Sequence, residues 1–177
     1  MDNVHVNMLG RIALEDQPLE IVERKGLGHP DTICDAVMNQ ISVDLSKEYL
    51  NKFGVVLHHN VDKSLLAAGI ATPAFKGGKI LEPMRFVFGD RATFKVGDEE
   101  IPVDEIAAKS ASNWLKENLR FVDPAEHVVF QSQIKPGSMA LADIFDRKGK
   151  FLGSNDTSAA VGYAPYTKTE TVILDLE

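Results

Sequence analysis

The sequence predicts an α+β fold, with mixed or antiparallel sheet layers carrying helices packed on one face. Three observations predict it. Two long amphipathic stretches read as helices, short apolar β-type runs lie around them, and those runs come in pairs between the helices. Paired runs argue against a doubly wound parallel sheet, in which single strands alternate with helices.

The elements follow in chain order. Residues 4–8 and 19–24 read as strands, separated by a polar loop containing Pro18. The clearest helix starts at Pro30, whose missing N–H suits a first turn, with Asp31 at the positive end of the dipole. Ile33, Val37, Ile41, Leu45, Tyr49 and Phe53 then form one stripe, and Gly54 is placed to stop the helix. Residues 55–58 and 65–70 read as strands, 71–83 as a Gly/Pro-rich loop, and 84–88 and 92–96 as further strands. The last of these ends at the turn signal Gly97-Asp98. Residues 104–119 read as a second amphipathic helix with Ile106, Trp114 and Leu115 inward, and 128–134 as a strand. Residues 135–166 are loop-like, and 171–176 form a terminal β-type run.

Composition narrows the function classes. Of 177 residues, 44% are hydrophobic and 25% charged, and a chain of this length buries about 70% of its unfolded surface, which excludes disorder as the main state. With 19 Lys+Arg against 26 Asp+Glu the net charge is −7. That argues against a nucleic-acid or membrane-surface protein, though not against ATP, which needs only a few local cations. Cys34 is the only cysteine, so neither an internal disulfide nor a Cys-based zinc site can form. Helical packing makes it a structural cysteine. No window reaches the apolar length of a membrane span, and Met1-Asp2-Asn3 lacks a basic, apolar leader. The expected compartment is the cytoplasm. The chain stops on Leu174-Asp175-Leu176-Glu177 without a polar tail, which looks like a cut through a larger protein. The expected organisation is a single portion, 1–177, of a larger α+β enzyme, with a helix–sheet sub-region 1–125 and a strand-plus-loops sub-region 126–177.

The chemistry-bearing segment is Glu23-Arg24-Lys25-Gly26-Leu27-Gly28-His29-Pro30-Asp31. A Gly-spaced turn feeds a helix N-terminus, where N–H groups and the dipole favour an anion. Lys25 suits phosphate, Asp31 is a hard oxygen donor for Mg²⁺, and His29 can donate to a developing oxyanion. From spacing alone the plainer reading is favoured: a loop with a helix-starting Pro-Asp and an incidental histidine. His58-His59-Asn60 with Asp62 is a second cluster. Adjacent histidines on a strand face opposite ways, so spacing favours a strand end with one buried and one exposed imidazole over a metal pair.

The nonapeptide resembles the N-terminal signature of the S-adenosylmethionine synthetase (methionine adenosyltransferase) family, in its archaeal branch. Lys52-Phe53-Gly54, Leu57-His58-His59-Asn60 with Asp62, Asn155-Asp156-Thr157-Ser158, Gly162-Tyr163-Ala164-Pro165 and Thr169-Glu170 extend the resemblance in collinear order through most of the chain. It implies attack of the L-methionine sulfur on C5′ of ATP. Triphosphate leaves and is hydrolysed to phosphate and diphosphate, with Mg²⁺ and often K⁺. Carried over residue by residue, it implies His29 as the catalytic donor to the departing oxygen and Asp31 as the Mg²⁺ ligand. Glu23, Lys25, Gly137, Ser138 and Met139 fall on the ATP side, Asn155 and Asp156 on the methionine side, Asp156 at the ammonium, and His59 and Asp62 are substrate-binding residues that line the site. It also implies a homodimer, or association with a missing C-terminal part.

The sequence departs from the family pattern at two places. Lys135-Pro136 stands where Gly-Gln is expected and Ala140 where Asp is usual; Ala67-Ala68-Gly69-Ile70 replaces a Gly-Gly-polar pattern. The alternative function is therefore a non-catalytic nucleotide-binding or oligomerisation module of the same fold. Only Arg24, Lys25, His29 and Lys135 supply cations in these segments, so the chain alone is expected not to make S-adenosylmethionine.

Overall fold

The computed structural model describes residues 4–8, 10–137 and 162–176. It divides into two compact units: Met1–Gly26 with Asn155–Glu177, and Leu27–Ser154. The architecture is α+β, as the paired strand runs predict.

The second unit is organised by α1 (Pro30–Phe53), which begins and ends where Pro30 and Gly54 predict. Gly54 adopts φ 71° and its N–H returns to the Leu50 carbonyl, a left-handed stop that a Cβ would strain. Ile33, Val37, Met38, Ile41, Leu45 and Tyr49 are buried along one face. Strands β1 (His59–Asn60) and β2 (Ser64–Ala67) follow, then the hairpin β3 (Ile70–Ala74) and β4 (Gly77–Glu82), β5 (Met84–Phe88), β6 (Arg91–Ala92), and a small hairpin of β7 (Lys95–Val96) and β8 (Glu99–Glu100). Helix α2 (Val103–Asn118), the single turn α3 (Pro124–His127), β9 (Val128–Ser132) and β10 (Lys135–Pro136) complete the unit.

The main sheet has the order β2-β5-β9, antiparallel between β2 and β5 and parallel between β5 and β9. Its register puts Leu66, Phe86 and Phe130 in one row across the sheet, Phe86 buried in the core and Leu66 and Phe130 partly buried against it. The Phe86–Phe88 and Phe88–Phe130 rings lie 5.1 and 5.8 Å apart, within aromatic contact. Helix α2 meets α1 through small residues, Ala107 and Ala111, both wholly buried. One polar link joins the helices: the Ser110 hydroxyl donates to Asp44 Oδ2 at 2.8 Å, beside Gln40 Nε2 at 3.0 Å. Burial pushes the Asp44 carboxyl up, but the hydrogen bonds from Gln40, Lys47 and Ser110 together outweigh it and hold it below its ordinary value.

A second sheet, β1-β6-β10, borders α1. The predicted 55–58 run is not a strand: β1 is two residues long and begins one residue past the end of that run, because only His59 and Asn60 find partners, at Ala92 and Arg91. Residues 71–83, expected to be loop, form most of the β3–β4 hairpin. Pro73 and the Gly77-Gly78 pair are tolerated because this two-stranded ribbon is exposed throughout, Phe75 at its tip being 95% exposed. At its base a Cβ on Gly69 would stand 2.1 Å from the Glu82 carbonyl oxygen, so only glycine lets the two strands close. Lys52 ties the β7–β8 hairpin to the end of α1, donating to the Glu100 carbonyl at 3.0 Å and pairing with Glu99 at 3.2 Å.

The first unit corrects two expectations. Among its described residues the 4–8 and 19–24 runs form no ladder: they alternate like strands but pair with no neighbouring strand. The terminal run is not a strand but α4 (Lys168–Leu176). A reciprocal cap starts it, with Glu170 N–H donating to Thr167 Oγ1 at 3.1 Å and Thr167 N–H to Glu170 Oε2 at 2.7 Å. Thr167 Oγ1 also donates to Glu20.

Tyr49 gives the second unit a measurable signature. Its ring is wholly buried and its hydroxyl donates to the Thr93 carbonyl at 3.0 Å. Burial pushes the phenol from 10.0 up to about 12, against a smaller opposing pull from that hydrogen bond. The folded state therefore holds a proton that the unfolded chain releases from pH 10 upward. The associated stabilisation is complete below pH 10 and is lost between pH 10 and 12, about 2–3 kcal/mol in all. Urea unfolding across pH 8–12 should show this component in the parent and not in Tyr49→Phe. At neutral pH the variant should lose about 1 kcal/mol for the orphaned Thr93 carbonyl.

Candidate active site

The N-terminus of α1 is capped by a histidine. His29 has extended backbone angles, and its carbonyl accepts from Ile33 N–H at 3.0 Å. Its ring Nδ1 accepts from Asp31 N–H at 3.1 Å, doing the work that Ser or Asp usually does at this position. An accepting Nδ1 leaves the hydrogen of a neutral imidazole on Nε2. The cap thus fixes His29 as a donor from Nε2, beside a helix N-terminus that favours negative charge.

Asp31 lies in the first turn of α1, and below it opens a groove. One stretch, about 400 Å³, is lined by Asp31, Cys34 and Asp35 from the helix and by Asp62, Ser64 and Leu65 opposite. The next, about 300 Å³, is lined by Asp35, Asn39 and Ser42 from the helix and by His59, Asn60 and Asp62 opposite. Asp35 and Asp62 border both stretches. The spacing 31, 35, 39, 42 is a helical stripe, rotated away from the core stripe 33, 37, 41, 45.

Asp62 sits in an electrostatic cluster. Lys63 Nζ donates to it, and Asn60 Nδ2 donates to Asp90 Oδ2 at 3.1 Å. The hydrogen bond from Lys63 holds Asp62 below its ordinary range, while burial and then the neighbouring Asp62 carboxylate push Asp90 up. Asp90 has φ 83°, a left-handed conformation that Asp tolerates better than most residues.

His59 engages both ring nitrogens inside the chain. Nδ1 meets the Leu57 carbonyl at 3.0 Å and Nε2 meets the Ser42 hydroxyl at 2.9 Å. A carbonyl only accepts, so the hydrogen is on Nδ1 and the Ser42 hydroxyl donates to Nε2. His58 is placed differently: a Cβ on Gly137 would lie 3.3 Å from its Nδ1. Lys135 and Pro136 form β10, parallel to β6, with Lys135 in register with Arg91. Pro136 needs no N–H there, and its carbonyl accepts from Arg91 Nη1 at 3.1 Å.

Glu23 and Lys25 belong to the first unit, whereas His29 and Asp31 belong to the second. Glu23 and Arg24 line a pocket of about 250 Å³ with Tyr163, Tyr166, Glu170 and Ile173. Tyr163 donates to Glu170 Oε1 at 2.6 Å, and that bond, with the Thr167 N–H, holds the Glu170 carboxyl below its ordinary value. Neither this pocket nor the roles of Asp35, Ser42 and Asp90 was read from the sequence. The only available signal was the Thr167-x-x-Glu170 capping pattern. Ser138, Met139, Asn155 and Asp156 lie outside the described residues.

Among the described residues no three His, Cys, Asp or Glu side chains converge as a metal cage. Asp31, with Asp35 and Asp62 in the same stretch of groove, offers hard oxygen donors of the kind Mg²⁺ uses when phosphate and water complete its shell. Also among the described residues, no helix is long and apolar enough to cross a membrane.

Comparison with known proteins agrees with the motif order. A family model described as S-adenosylmethionine synthetase (AdoMet synthetase) matches residues 2–177. The S-adenosylmethionine synthase of Methanothrix thermoacetophila is 47% identical over 176 residues, which cover 99% of this chain and 44% of that relative. The probable S-adenosylmethionine synthase of Aquifex aeolicus is 44% identical over 180 residues, covering 100% and 45%. The S-adenosylmethionine synthase of Aeropyrum pernix is 45% identical over 168 residues, covering 93% and 41%. The chain therefore spans a little under half the length of these curated relatives. With its family model matched over nearly every residue, the chain belongs to the S-adenosylmethionine synthetase family.

Proposed function

We propose that this chain is the N-terminal part of an enzyme that makes S-adenosylmethionine from ATP and L-methionine, working as a homodimer or with a further C-terminal part. The observation that carries the reading is the His29 cap, whose Nδ1 bond to Asp31 N–H leaves Nε2 as a donor. A donor held there costs no reorganisation when charge develops on the departing triphosphate oxygen. Asp31 is the assigned Mg²⁺ ligand, supported by its position in the groove. When bound, Mg²⁺ supplies positive charge to the polyphosphate and lowers the repulsion a carboxylate-lined groove exerts on it. K⁺ is an additional expected requirement.

The chain's own residues bind and orient. Lys25 neutralises phosphate charge, and Glu23, Gly137, Ser138 and Met139 serve the nucleotide. Asn155 and Asp156 serve methionine, Asp156 at its ammonium group, and His59 and Asp62 line the substrate-binding groove. A scaffold that kept the fold and lost the chemistry is the second reading, favoured by the Lys135-Pro136 strand in place of the expected Gly-Gln loop. Calorimetric titration with a non-hydrolysable ATP analogue, with and without Mg²⁺, separates binding from scaffold: the enzyme reading requires Mg²⁺-dependent heat, an oligomerisation scaffold gives none, and a nucleotide-binding module that gives heat is told apart by making no S-adenosylmethionine in the longest form of the protein.

Two substitutions test the assignments. Asp31→Asn should abolish most of the Mg²⁺ dependence of nucleotide binding in that titration while leaving the unfolding midpoint nearly unchanged. Equal dependence in variant and parent would remove Asp31 from the metal. His29→Ala should lose about 1 kcal/mol of stability with the cap and, in the longest form of the protein that the gene encodes, about 10²–10³ in turnover. His29→Asn separates the two effects. Asn caps helices well, so stability should return, whereas turnover should stay low because no Nε2 donor remains. A change in the Michaelis constant alone would make His29 a ground-state binder.

A further inference from the structure

The groove along α1 is closed at one end by a side-chain hydrogen bond that joins its two walls. Ser42, on the helix wall, meets His59 Nε2 at 2.9 Å, and His59 in turn donates through Nδ1 to the Leu57 carbonyl at 3.0 Å. Ser46 is a weaker partner: it stands 3.5 Å from Nε2 and donates to the Ser42 carbonyl at 2.8 Å. The Tyr49 ring flanks the imidazole at 5.6 Å, tilted by 50°. From this closed end the walls run to Asp35, seven residues and about 10 Å back along α1, and to Asp62, three residues on from His59.

The Leu57 carbonyl decides which nitrogen carries the hydrogen. In a neutral ring, an Nε2–H tautomer would turn the bare Nδ1 lone pair toward the Leu57 carbonyl lone pairs, and the 3.0 Å contact would become repulsive. The ring therefore presents Nε2 as an acceptor toward α1. Ser42 is placed as the donor to it, and its own element is fixed by the core face of α1.

We propose that Ser42 is a positioning residue. Its hydroxyl donates to the His59 Nε2 that the Leu57 carbonyl leaves as an acceptor, which fixes β1 and the Asp62 turn against α1 and so sets the width of the groove. The consequence for ligand binding rests on the function proposed above; the lock itself does not.

The test compares the parent chain, Ser42→Ala and Ser42→Thr by three measurements. The first is the ¹⁵N chemical shifts of the His59 ring, which report the tautomer and the hydrogen bond at Nε2. The second is amide hydrogen exchange at residues 61–63, with Phe86 and Phe88 as core references. The third is titration with the Mg²⁺ complex of a non-hydrolysable ATP analogue. The parent should show the Nδ1–H form. Ser42→Ala should keep the Nδ1–H form but shift its Nε2 resonance as the hydrogen bond is lost, exchange about tenfold faster at 61–63 with the core references unchanged, and bind the nucleotide complex about tenfold more weakly. Ser42→Thr, which keeps the hydroxyl, should restore all three. An Nε2–H parent, an unchanged Nε2 shift in Ser42→Ala, or faster exchange spread equally to Phe86 and Phe88 would each overturn the lock. Unchanged nucleotide affinity despite loss of the Nε2 bond would overturn its role in shaping the groove. A parent that takes up no nucleotide would instead fail the functional reading, with the ring shifts and exchange rates still deciding the lock.

Discussion

One apolar face of α1 constrains nearly everything in the second unit. Val37, Ile41, Leu45 and Tyr49 are wholly buried there, each contributing about 1.5–3 kcal/mol by leaving water. Burial fixes the rotation of the helix about its axis as well as its position. With the core stripe committed, Asp31, Asp35, Asn39 and Ser42 have one direction left, and they line the groove. The geometry of the polar stripe is therefore maintained by residues that never touch it. A core substitution that turned the helix by a fraction of a residue would move four groove side chains together.

The groove so formed is acidic, in a chain of net charge −7. Asp31, Asp35 and Asp62 border it, and Asp90 stands beside Asp62. A polyanion meets such a surface favourably only with cations between them, or where the helix N-terminus and a fixed N–H donor outweigh the carboxylates. For the proposed chemistry, this makes a divalent ion a matter of electrostatic balance at the groove as well as of leaving-group activation.

Local signals carried the legible part of the fold. Pro30, Gly54 and a 3.6-residue stripe were enough to bound α1; α2 fell one residue from its predicted limits, and β5 on them. The misses share a physical cause. The 4–8 and 19–24 runs alternate like strands, but alternation says nothing about whether a neighbouring strand exists. Val172, Ile173 and Leu174 have β-type character, yet the Thr167–Glu170 cap initiates a helix through them. At the site, His29 and Asp31 were legible because the motif and the helix start coincide. The Ser42–His59 and Asn60–Asp90 bonds join residues 17 and 30 apart, and no spacing rule reaches that far. The motif itself is contiguous in sequence, yet its Glu23–Lys25 part and its His29–Asp31 part fold into different units.

The β3–β4 hairpin gives the molecule an uneven tolerance for change. Every residue of both strands is exposed, so burial imposes almost nothing on their identity, and the tip at Phe75 and Lys76 can accept extra residues without disturbing a core. At the base the opposite holds, because any side chain at Gly69 would collide with the backbone of residues 82–84. The projection can thus be lengthened, shortened or recoloured at little cost to the fold, whereas its root admits no side chain at Gly69.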